Sequence, residues 1–93
     1  MISLEDCLAL CGLTEGEVLA LAEHEHIPDI AATALGQYLL NQPNGCKTIR
    51  DMIADDIGWA RGRGDGRHAQ ELALTLQGFV SSHPADGELP LGY

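Results

Sequence analysis

"LTEGEVLALAEHEHIPDI", residues Leu13 to Ile30, decides the fold because it holds a helix start, a helix end and a second helix start in close succession. The Thr14 hydroxyl can accept from the amide of Glu17 while the Glu17 carboxylate reaches back to the Thr14 amide, a reciprocal capping box. Leu13 and Val18 occupy the two positions of the accompanying hydrophobic staple. The helix so started turns Val18, Leu21, Ala22 and Ile27 inward. Pro28 lacks the amide needed to continue its ladder, but a fixed φ suits the first turn of a new helix, and Asp29 places a carboxylate where the helix dipole favours one. From there Ile27, Ile30, Ala31, Ala34, Leu35, Tyr38 and Leu39 recur at helical spacing as far as Leu40 and predict one inward stripe.

The same reading extends both ways. Before Leu13, Ser3 can cap a short helix in which Leu4, Cys7, Leu8 and Cys11 share a face, with Gly12 as its stop. After Leu40, Asn41-Gln42-Pro43-Asn44-Gly45 has the composition of a turn. A helix follows with Ile49, Met52, Ile53, Ile57 and Ala60 inward and Lys47, Arg50, Asp51 and Asp55 outward. The run Arg61-Gly62-Arg63-Gly64-Asp65-Gly66 interrupts it. Asp65 then caps a last helix with Ala69, Leu72, Ala73, Leu76 and Val80 inward, which ends before Pro84 because the residue preceding proline resists the α conformation. The expected fold class is all-α, a compact bundle of four to five short helices forming a single helical domain over residues 1–84. Residues 85–93, with Gly87 and Gly92, read as a mobile or docking tail.

Composition narrows the functional classes. The chain has 93 residues, 45% hydrophobic and 4% aromatic, so one core built mainly from aliphatic side chains is expected. Five Lys and Arg stand against fourteen Asp and Glu, giving a formal net charge of -9. Such a field repels phosphate backbones and attracts basic surfaces. The expected partner is therefore a protein with a basic surface, not nucleic acid. Met1-Ile2-Ser3-Leu4-Glu5-Asp6 has no basic n-region and no apolar h-region, and no run approaches a membrane span, so a cytoplasmic location without membrane association is expected. Cys7, Cys11 and Cys46 are odd in number and read as reduced thiols.

The candidate sites are few. His24 and His26 are two residues apart, which on a helix points them to different faces. Glu23 and His26 form a usable i, i+3 pair, but a metal would need further ligands. The plainer reading of this run is a polar helix end, where histidines favour the negative pole of the dipole. Cys7 and Cys11 share a face with Leu4 and Leu8, as small core hydrophobes would. Cys46 sits at a helix start without a neighbouring base. Asp51, Asp55 and Asp56 make a carboxylate group on one helix that reads as a solvated face, with Lys47 to Asp51 an ordinary i, i+4 ion pair. Arg63-Gly64-Asp65 spells a cell-adhesion tripeptide but reads as a helix-helix turn. The first three helices permit a helix-turn-helix interpretation, yet the would-be recognition helix, Pro28 to Leu40, has no Lys or Arg to contact phosphates.

The segments Ser3-Leu4-Glu5-Asp6-Cys7, Gly12-Leu13-Thr14-Glu15-x-Glu17-Val18, Ala22-Glu23-His24-Glu25-His26-Ile27-Pro28 and Ile49-Arg50-Asp51-Met52-Ile53-x-Asp55-Asp56-Ile57 together resemble a group of short, uncharacterised bacterial helical proteins of no known activity. The resemblance runs to about His83 and implies a bacterial, cytoplasmic, standalone protein. It transfers no catalytic residues. No nucleophile-base pair, phosphate loop or complete metal set is evident, so the expected function is that of a small acidic interaction or regulatory protein, with no enzymatic activity and no cofactor. A homodimer is expected, with Tyr38, Leu40, Trp59, Leu74 and Phe79 as interface candidates, because they add apolar surface beyond one small core. The alternative is a metal- or thiol-redox-responsive protein using Cys7, Cys11, His24 and His26, with Glu23 as a further candidate ligand. A helix-turn-helix DNA-binding module is a lesser alternative.

Overall fold

The computed structural model describes residues 12–83. Four helices follow one another: α1 (Glu15–Glu25), α2 (Asp29–Leu40), α3 (Gly45–Gly62) and α4 (Gly66–Ser82). Among the described residues there is no strand, and the fold is an all-α bundle. The helix expected over Ser3–Cys11 and the tail 85–93 lie outside the described residues.

Helix boundaries fall where local chemistry places them. Thr14 N–H donates to Glu17 Oε1 at 2.9 Å and Glu17 N–H donates to Thr14 Oγ1 at 3.2 Å, completing the capping box. Leu13 and Val18 are both buried beside it. α1 ends at His26, whose φ of 57° and ψ of 47° are left-handed, while the next amide, of Ile27, donates to the carbonyl of Ala22. Pro28, at φ -62°, is the residue from which α2 starts. At the other end of the chain, Asp65 Oδ1 accepts from the His68 amide at 3.1 Å and caps α4. The turn before it needs the left-handed conformation at Gly64, φ 80°.

α3 is the hub, packing against every other helix, and its contact with α4 is the most extensive in the bundle. The core assembles Val18, Leu21, Ile49, Ile53 and Phe79, all at or near zero exposure. Gly45 allows the sharpest approach: a Cβ there would lie 1.4 Å from the Leu39 carbonyl oxygen, so the start of α3 can sit against the last turn of α2 only without a side chain.

Three expectations about facing need correction. In α2 the buried residues are Ala32, Thr33 and Gly36, with Leu35, Leu39 and Leu40 partly buried, whereas Ile30, Ala31, Ala34 and Tyr38 face outward. The helix is apolar almost all round, and its small residues allow the closer approach: a Cβ on Gly36 would lie 2.3 Å from Leu13 Cδ1. In α4 Phe79 is fully buried and Val80 is 42% exposed, the reverse of the expected order. Both fit the stripe that runs through Leu72 and Leu76, and the larger ring takes the interior. Asp56, expected on the solvated face of α3, is fully buried.

Candidate functional site

The last turns of α1 approach α3 and α4 through polar side chains. Glu23 and His24 are partly buried there, while Glu25 and His26 are exposed. His24 Nε2 lies 3.0 Å from Asp55 Oδ2 on α3, and its Nδ1 lies 2.7 Å from Glu25 Oε2. One face of its ring stacks on Trp59, with centroids 5.1 Å apart and planes inclined by 24°. On α4, His68 Nε2 lies 2.7 Å from Glu23 Oε1 and its Nδ1 lies 3.3 Å from Glu71 Oε1. Arg63 approaches the other oxygen of Glu23 at 3.9 Å. Two histidines thus tie α1 to its neighbours, each with a carboxylate oxygen at both ring nitrogens.

This geometry favours imidazolium. A neutral imidazole has a single N–H and would turn a lone pair toward one of the two carboxylates; only the protonated ring donates to both. The hydrogen bonds to Glu23 and Glu71 raise the His68 pKa. For His24, burial alone would lower it, but the bonds to Asp55 and Glu25 and the charges of Asp56 and Glu25 together outweigh burial and raise it.

Asp56 lies behind this pair of contacts. Its side chain is fully buried and neither carboxylate oxygen accepts a hydrogen bond from the protein. Burial, reinforced by the negative charges of Glu23 and Asp55 and opposed by His24 and His68, pushes its pKa from 3.8 to about 7. An ionised carboxylate without donors in an apolar interior is costly, and the acid form relieves that cost.

α1 meets α4 far less extensively than α3 does. Between them runs a groove of about 150 Å³ walled by Leu19, Ala20, Leu72 and Thr75, with Glu23 and His68 also on its lining. That volume suits one side chain, well below the ~300 Å³ at which small-molecule pockets begin.

Of the residues that the sequence suggested as one metal or thiol site, Glu23, His24 and His26 lie among the described residues. Cys7 and Cys11 lie outside the described residues. His24 turns toward α3, and His26 is the exposed left-handed cap. Glu23 pairs with His68. Among the described residues, no group of three or more His, Cys, Asp or Glu side chains is arranged to hold a metal ion. Lys47 and Asp51 form the expected ion pair at 2.9 Å. Of the interface candidates, Tyr38 (61%), Leu74 (63%) and Trp59 (48%) are exposed, Leu40 packs partly against the core, and Phe79 is removed from any surface by complete burial. His68 was not among the candidates, and Asp56 was read as part of a solvated carboxylate face. No described helix is long and apolar enough to cross a membrane.

No family model matches the chain, and no curated protein or solved structure matches it.

Proposed function

We propose that this protein is an acidic, non-enzymatic interaction module that self-associates as a two-fold dimer and binds a partner protein with a basic surface. The observation that carries the reading is the outer face of α2. Ile30, Ala34 and Tyr38, one turn apart in succession, are all exposed, with Ile30 at 50% and Tyr38 at 61%. This line carries no charge, although the chain as a whole carries -9. Clustered exposed apolar residues on a small domain mark interfaces, and an uncharged line is where two copies of an acidic chain can meet with least repulsion.

The basic partner follows from how charge is distributed. All five Lys and Arg fall between Lys47 and Arg67, so α1 and α2 carry acids without a single fixed cation. A surface of that sign favours Lys- and Arg-rich surfaces and speeds their encounter.

Light scattering after size exclusion, over a concentration series at low and moderate salt, tests the reading. Self-association strengthens with salt, as like charges are screened, and approaches twice the 9.9 kDa chain mass. Binding to a basic protein weakens with salt. A monomer mass in every condition would refute the dimer.

A further inference from the structure

We propose that Asp56, His24 and His68 form a proton-operated latch, which holds the end of α1 against α3 and α4 while all three are protonated and releases it when they lose their protons. The inference rests on how α1 is held and is independent of self-association.

The carboxy-terminal half of α1 is fastened by two cross-helix histidine–carboxylate contacts, His24 to Asp55 on α3 and His68 on α4 to Glu23. Each histidine has a second carboxylate at its other ring nitrogen, Glu25 and Glu71 respectively. Loss of the ring proton therefore removes a donor from an acid pair and also removes the charge that strengthened both bonds. Asp56 responds in the same sense. As an acid it is an uncharged buried group; as a carboxylate it is a buried charge without a hydrogen-bond donor.

The charges around the three groups and their partners add to this. α1 presents Glu23, His24 and Glu25; α3 adds Asp55; the α3–α4 turn adds Arg63 and Asp65; α4 adds His68 and Glu71. α2 has one charged residue, Asp29, in its first turn. With the latch protonated, the carboxylates of Glu23, Glu25, Asp55, Asp65 and Glu71 face three cations, His24, His68 and Arg63. With it deprotonated, Asp56 joins the carboxylates, and they face Arg63. The helix that carries Glu23 and Glu25 also meets α4 far less extensively than α3 does, with an open groove along the seam. Moving α1 outward hydrates Asp56 and separates the acids without opening the α3–α4 core.

Amide hydrogen exchange of the full chain at about pH 6 and about pH 8, corrected for intrinsic exchange rates, reads the latch directly. Protection of the amides from Leu21 to Glu25 falls at least about tenfold relative to Ile53 and Ile57 as pH rises. Asp56→Asn, which keeps the shape of the acid form and cannot ionise, removes most of that fall. If that variant does not fold, His68→Gln combined with His24→Gln serves: glutamine can still donate to Glu23 and Asp55 but does not titrate, so the fall shrinks to the share carried by Asp56. Equal changes in α1 and α3, or a fall of wild-type size in the variant, would overturn the proposal.

Discussion

Replacing Asp56 by Asn should stabilise the protein at alkaline pH and leave it nearly unchanged near pH 4. Asp56 has a pKa of about 7 in the folded chain against 3.8 as its ordinary value. The folded state therefore holds the proton more tightly, so the acid's contribution is fully present below about pH 3.8 and is lost progressively as pH rises to about 7. Three units at 1.36 kcal/mol each correspond to about 4 kcal/mol. That is a ceiling, because any local opening that hydrates the carboxylate relieves part of it. Asn has nearly the volume of the protonated acid and is left with comparable unpaired polar atoms, so the difference between variant and wild type isolates the charge. Urea denaturation followed by circular dichroism gives a gain approaching about 4 kcal/mol at pH 8 and under about 1 kcal/mol at pH 4. His24 and His68 act in the same direction: their folded pKa values are raised, so the stability they contribute is present below pH 6.5 and lost as pH climbs through the folded values. The wild type is thus most stable in mild acid. A wild type that gains stability between pH 5 and 8, or an Asn variant equally destabilised at both ends, would refute the reasoning.

Gly45→Ala places a Cβ against the Leu39 carbonyl, which is backbone and cannot turn aside, so thermal unfolding should show a loss of about 3 kcal/mol or more. Gly36→Ala meets the end of the Leu13 side chain, which can change rotamer, and should lose only about 1–2 kcal/mol in the same assay. Thr14→Ala removes one half of the capping box and should lower stability by about 1 kcal/mol, measured as a shift in urea midpoint with an unchanged slope. Phe79→Ala should lower it by about 3–5 kcal/mol, while Leu74→Ala, at a 63% exposed position, should change it by less than about 0.5 kcal/mol.

What the sequence made legible was local chemistry. The Thr14–Glu17 box, the break at Pro28, the turn before α3 and the Asp65 cap each depend on residues within four positions of one another, and the structure places all of them as read. Facing was legible where polar and apolar residues alternate cleanly, as for Ile49, Met52, Ile53, Ile57 and Ala60. It failed in α2, where apolar residues surround the axis and packing of Ala32 and Gly36 decided the orientation. Asp56 did carry a signal: it lies three residues after Ile53 and four before Ala60, on the inner stripe itself, and its charge obscured that register. The rest of the site had no local signature. His24 meets Asp55 across 31 positions and His68 meets Glu23 across 45, and such pairings exist only once the helices have packed.

The claim that α2 presents an interface is tested most directly by sedimentation equilibrium of the wild type beside Tyr38→Glu at matched concentration in moderate salt. Tyr38 is 61% exposed, so the substitution leaves the monomer fold intact while placing a charge in the uncharged line of Ile30, Ala34 and Tyr38. The wild type should sediment with twice the mass of one chain and the variant with the mass of one. Equal masses for the two proteins would contradict the account.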